Sequence, residues 1–258
     1  MRKMHENYLL LTKLKEFDNG IIKYFVDRLS IFLCIDLNEY PDIMFTRSIT
    51  KIKNQYGVGI DDKIEKFPRA FYDDDQNIVV FNALKYDRKS KYFYTNSEEI
   101  SEDIEKKYIK QYRYIVPISD IYHELTHFFQ YYLMGDKYDN VRYTDIIEAS
   151  DEIYTYFLTG QMIDYERQSV ALWYLSKYYL KLRGMKFYMF IRDIIVNPNW
   201  EQNYILNNKE MIKMLADDYD GNIINLINRI KIDFYRKDLI EEFYKDIDEI
   251  HSLMFYKW

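Results

Sequence analysis

Apolar positions recur at helical spacing from Leu9 to Asp36, interrupted by the turn signal Asp18-Asn19-Gly20, so a helix is predicted on either side of that turn. Pro41 closes the section. From Ile43 to Asn82 the pattern shortens, punctuated by Gly57, Gly59, Pro68 and the acidic turn Asp73-Asp74-Asp75. It ends in Asn77, Ile78, Val79, Val80, Phe81 and Asn82, a β-branched and aromatic run that reads as the best strand in the chain. Lys85 to Tyr114 is charged and aromatic, with an acidic cluster from Glu98 to Glu105, and reads as a loop followed by a solvated helix.

Pro117, Ser119 and Asp120 supply helix-start chemistry, because proline suits a first turn and short oxygen-bearing side chains cap exposed amides. A helix is predicted from Ser119 to Met134, stopped by Gly135, and a second from Thr144 to Leu158, closed by Gly160. From Tyr165 onward the periodicity is almost wholly helical, broken at Asn197-Pro198-Asn199 and Asp220-Gly221-Asn222. No internal repeat or linker interrupts it. The expectation is an α+β, predominantly helical single domain over residues 1–258. One lobe, with a small sheet, covers about 1–160, and a helical lobe covers about 161–258.

Composition narrows the function classes. With 36 Lys plus Arg against 42 Asp plus Glu, the formal charge of −6 offers no basic field, so nucleic acid is not expected as a partner. The single cysteine, Cys34, can neither close an internal disulfide nor build a thiolate metal site, which fits a reducing compartment. The longest charge-free stretch, Ile153 to Ile163, covers 11 positions, short of the about 20 a spanning helix needs. Tyr8 to Leu11 is likewise too short for a signal-peptide core, so no membrane span and a cytoplasmic location are expected. The 28 Tyr and 16 Phe fall mostly on helix-spaced faces and are expected in the core rather than on a ligand platform.

Chemistry concentrates in His123-Glu124-Leu125-Thr126-His127, an HExxH motif that uses two of the four histidines. On a helix, side chains four apart lie one above the other, so both imidazoles can converge on one zinc ion. Glu124 adjoins them without being placed to ligate; a carboxylate there can take a proton from water activated by the metal and hand it to a leaving amine. A zinc hydrolase wants a third protein ligand and one open position. The acidic helix downstream offers Asp145, Glu148, Asp151 and Glu152, which periodicity alone does not rank.

The His-Glu-Leu-Thr-His helix, followed 21 positions beyond His127 by Glu148-Ala-x-x-acid, resembles the gluzincin, or thermolysin-like, zinc metallopeptidases with a zincin fold. That resemblance covers roughly Asn77 to Gly160. It implies one Zn2+ held by His123, His127 and Glu148, with Glu124 as general base. It also implies a carboxylate at Glu152 that orients a ligating imidazole; the family usually has Asp there, and Asp151 stands beside it as the alternative. An oxyanion-stabilising Tyr or His is implied too, for which Tyr154 and Tyr165 are candidates, the remaining histidines His5 and His251 reading as solvated. In the wider zincin group an edge strand before the HExxH helix pairs with substrate, a role for which Asn77–Asn82 is the candidate, an internal strand without substrate contact being the alternative. The metzincin variant is excluded, because position 133, where its third histidine would stand, is Leu133.

Together these readings predict a zinc metallopeptidase acting on a peptide or protein substrate. Two alternatives share its metal and base: a zincin-like metal-binding module with a regulatory or protein-binding role, and a zinc hydrolase of a non-peptide amide. Gln130, one turn after His127, is expected either to face the cleft or to hold a polar contact.

Overall fold

Long-range pairing, not local periodicity, decides the fate of the first apolar run. The computed structural model of the chain describes residues 2–4, 8–11, 19–37, 39–46, 70–82, 84–86, 93–94, 114–135, 143–233 and 235–255. Where a helix was expected from Leu9, there are instead two antiparallel strands, β1 (Arg2–Met4) and β2 (Tyr8–Leu11). Strand β2 also pairs with a distant partner, Tyr114–Pro117, placing Leu9 opposite Val116 with both side chains buried. A four-residue apolar run suits a strand or a helix equally, and the sheet partner decides. The predicted helix after Asp18-Asn19-Gly20 is present as α1 (Asn19–Leu33). Its buried stripe is Ile21, Ile22, Phe25, Val26, Leu29 and Leu33, a helical spacing that leaves Lys23 and Tyr24 exposed.

The chain divides into two compact units, residues 1–128 and 129–258, the boundary falling inside a single helix. The first unit holds two sheets. One has the order β1-β2-β8-β6-β7 and is antiparallel throughout, with β6 at Leu84–Tyr86, β7 at Phe93–Tyr94 and β8 at Tyr114–Pro117. Part of the segment read as loop and solvated helix is thus strand, while the acidic cluster at 98–105 lies outside the described residues.

The second sheet has the order β3-β5-β4, from β3 (Asp42–Thr46), β4 (Ala70–Asp73) and β5 (Ile78–Asn82). Asn77–Asn82 is therefore corrected: its strand is central, not an open edge, with parallel β3 on one side and antiparallel β4 on the other. The physical reason is in the residues. Ile78, Val79, Val80 and Phe81 are all buried without alternation, the pattern of a strand covered on both faces, and Phe81 stacks on Phe45 of β3 at 5.6 Å. Asn77 lies outside the strand, in the turn, with φ 47° and its Oδ1 accepting the Tyr72 hydroxyl at 3.1 Å.

The helix α2 (Ile118–Met134) begins one residue before its predicted start. Within the first unit Tyr122 meets Phe25 of α1 edge-on at 5.4 Å, and Phe128 meets Tyr72 of β4 edge-on at 5.9 Å.

The second unit is helical. Its central element is α3 (Thr144–Thr159), buried without interruption from Ala149 to Leu158 and packed against α4 (Glu166–Tyr174), α5 (Met185–Val196) and α8 (Lys237–Phe255). Gly160 closes α3 at φ +68°, its N–H donating to the Tyr156 carbonyl. A Cβ there would stand 3.1 Å from the His251 ring, so both conformation and space call for glycine. Between α5 and α8 lie α6 (Lys209–Asp218), capped by the Asn208 side chain accepting from Met211 N, and α7 (Ile223–Asp233). Both predicted breaks fall between helices: α5 stops at Val196 before Asn197-Pro198-Asn199, and α7 starts after Asp220-Gly221-Asn222. Short π-helical turns occupy Leu175–Tyr179 and Gln202–Leu206.

Aromatic side chains fill both interiors, as expected: Phe25, Phe45 and Phe81 in the first, Tyr154, Phe157, Trp173, Phe190 and Phe243 in the second. The described chain is predominantly helical with small sheets, and no helix of its described residues is long and apolar enough to cross a membrane.

Candidate metal centre

Helix α2 turns the HExxH spacing into a site. Ile121, Leu125 and Thr126 are fully buried, and the Thr126 hydroxyl donates to the Tyr122 carbonyl at 2.7 Å, so these positions serve the helix and its packing. His123, Glu124 and His127 form the complementary stripe, each 7–8% exposed. The two imidazole centroids are 4.9 Å apart with their planes at 85°. Tyr122 is held protonated, because burial pushes its hydroxyl pKa up more than the Arg28 charge lowers it.

Glu148 is the carboxylate that joins them. One ligand atom from each of His123, His127 and Glu148 lies within 4.8 Å of the other two. Three atoms no farther apart than that share a centre within about 2.8 Å of each, and side-chain shifts of about 0.7 Å bring all three to zinc bonding distance. Two imidazoles and one carboxylate are also a donor set that zinc accepts while keeping an open position. The residues therefore fit a divalent metal ion; the set by itself does not name which.

The other predicted residues are placed as follows. Glu152 is fully buried on α3 and its Oε1 accepts the backbone N–H of Ile163, the segment that follows the helix. Asp151 is fully buried, with Oδ1 3.5 Å from the Ser150 hydroxyl. Asp145 accepts from Lys231 at 2.6 Å and from Gln168 at 3.4 Å. Tyr154 is a core residue, stacked on Tyr188 of α5 at 5.9 Å with the two hydroxyls 3.3 Å apart. Tyr165 is half-buried and precedes α4. His251 is not solvated: it is half-buried on α8, and its Nδ1 lies 3.0 Å from the Phe157 carbonyl. His5 lies outside the described residues. Gln130 makes the polar contact rather than the cleft-facing one, its fully buried amide donating to the Ser150 hydroxyl at 3.2 Å.

Sequence reading did not find Tyr143, Trp200 and Glu201, which meet beside the start of α3. Tyr143 donates to Glu201 Oε2 at 2.7 Å and sits edge-on to Trp200 at 6.0 Å. Their separation of 58 positions carries no local signal. No protein-family model, curated protein or solved structure matches the chain.

Proposed function

We propose that the chain is a zinc metallopeptidase of the gluzincin kind, with a zincin-like fold. The observation that carries this reading is the convergence of His123, His127 and Glu148 with Glu124 buried beside them on the same turn of helix. When bound, the zinc would supply Lewis acidity, polarising a carbonyl and lowering the pKa of water into the neutral range. The chain's own part is proton handling and positioning. Glu124 would take the proton from the attacking water and return it to the leaving amine, while Glu148 contributes the negative charge that offsets the metal's.

The central position of β5 removes it as the strand that aligns substrate. Strand β4 takes that role in this reading. Among the described residues β5 is its one sheet partner, and its Tyr72 packs on Phe128, the residue after His127. An extended peptide added to β4 on the side away from β5 would be held by backbone hydrogen bonds. The same centrality of β5, with both imidazoles 7% exposed, favours one second reading, a zincin-like module that keeps its metal but binds or regulates rather than cuts.

One assay separates them. Protein purified without chelator is expected to carry one zinc and to cleave a generic unfolded substrate; a chelator abolishes cleavage and added zinc restores it. Stoichiometric zinc without cleavage would leave the binding module, and no zinc at all would end both readings.

A further inference from the structure

A cavity of about 230 Å³ lies in the helical unit at the start of α3. An engineered apolar cavity of about 150 Å³ holds a benzene molecule, so this one has room for a single side chain. Its walls are aliphatic, from Met134, Ile146, Ile147 and Ile194. Its polar end is Glu201, which accepts the Tyr143 hydroxyl while Trp200 backs that ring edge-on.

The chemistry of that end is one-sided. The Tyr143 proton is already spent on Glu201, so what that end offers a ligand is the acceptor lone pairs of the carboxylate. Among the described residues no lining side chain is cationic and no ion pair to Glu201 occurs. The start of α3 contributes about half a positive charge nearby, less than one full carboxylate, and Asp145 in that first turn is occupied by Lys231. An acidic ligand would be repelled, and a purely apolar one would strip water from Glu201 without replacing it. The matching ligand has an unbranched apolar stem and a cationic tip with several N–H donors.

The geometry points to a specificity pocket for a lysine or arginine side chain of the substrate. Ile147, in the wall, is followed directly on α3 by Glu148, so the pocket and one member of the metal cluster share a turn of that helix. The substrate assignment rests on the metallopeptidase reading; recognition of the basic side chain does not.

The test uses the full chain and has two arms. In the first, Nα-acetyl-lysinamide, Nα-acetyl-norleucinamide and Nα-acetyl-glutamic acid amide are titrated into metal-free protein and binding is followed by calorimetry. The lysine probe is expected to bind tenfold to a hundredfold more tightly than norleucine, the range a charge-assisted hydrogen bond gives. Tyr143→Phe, which keeps the carboxylate, should preserve the preference. Glu201→Gln should erase it, and Glu201→Lys should transfer it to the glutamic acid probe. Equal binding of lysine and norleucine, a preference that survives Glu201→Gln, or no binding of either probe would overturn the pocket.

In the second arm the zinc-loaded protein is given a mixed peptide library. Cuts clustered beside Lys and Arg, and lost as a class in Glu201→Gln, are the expected result. Lysine binding without any cleavage would keep the pocket and sink the peptidase reading. Cleavage without a basic preference would do the reverse.

Discussion

Replacing Glu148 by glutamine tests the third ligand with almost no change of shape. The wild-type donors need movements of only about 0.7 Å to reach bonding distance, whereas an unfolded chain has no reason to hold residues 21 positions apart together. Zinc should therefore bind the folded chain far better than the unfolded one. At free zinc 100 times the wild-type Kd, that difference stabilises the fold by about 2.7 kcal/mol. A chain of this size gains about 2–4 °C in Tm per kcal/mol, so a shift of about 5–11 °C is expected in thermal denaturation followed by circular dichroism. Losing even an indirect supporter of a ligand weakens metal sites 10- to 100-fold, and a direct ligand should cost at least the upper figure. At that Kd the same zinc gives Glu148→Gln about 0.4 kcal/mol, or about 1 °C. The reasoning is refuted if Glu148→Gln keeps the full shift, and the assignment moves if Asp145→Asn, Asp151→Asn or Glu152→Gln loses it instead.

Glu124→Gln should retain zinc and Tm while activity falls about 10²- to 10⁴-fold, the range of a lost general base; loss of zinc by elemental analysis would instead make Glu124 a ligand. Amide exchange followed by NMR should find Ile78 to Phe81 uniformly protected, because β5 has a partner on each side; alternating fast and slow amides would mean an edge after all. Lys177, buried between Asp246 at 2.6 Å, Glu242 at 2.9 Å and the Trp173 ring, has its pKa raised by the two carboxylates against burial, and Glu242 has its own lowered chiefly by Lys177. A raised lysine stabilises below its unfolded value and loses that as pH climbs above 10.5, while a lowered carboxylate stabilises above its unfolded value and loses that as pH drops below 4.5. Lys177→Met should therefore flatten the Tm profile at both extremes, and an unchanged profile would show that the pair carries no pH dependence.

What the sequence made legible was local. Ser119 to Met134 and Thr144 to Leu158 were bounded to within a residue because their signals, a proline and short polar start and a glycine stop, sit next to the helices they delimit. The HExxH stripe needs only one turn of helix to become a pair of converging imidazoles, so it too was legible. Partners were not. Tyr8–Leu11 is a strand because Tyr114–Pro117, more than 100 positions on, accepts it, and β5 is central because β3 arrives in parallel from across a long intervening segment. Neither fact leaves a mark on the run itself beyond an absence of alternation in Ile78 to Phe81, which favours a doubly covered strand.

Choosing Glu148 among four acids is a question about how α3 is rotated, and the buried polar groups of that helix answer it. An unsatisfied buried polar group costs about 1–3 kcal/mol, so each contact here resists rotation. The Ser150 hydroxyl receives the Gln130 amide, Glu152 takes the Ile163 N–H, and Asp145 is held by Lys231. Shifting α3 by one residue turns it about 100° and would break these contacts together while carrying Ala149 into the place of Glu148. With the azimuth fixed in this way, Asp145 and Glu152 are committed to other elements of the helical unit, Asp151 is fully buried against the Ser150 hydroxyl, and Glu148 is the half-buried acid grouped with the imidazoles. Spacing from His127 could name the helix that supplies the third ligand; it took the packing of that helix to pick the residue.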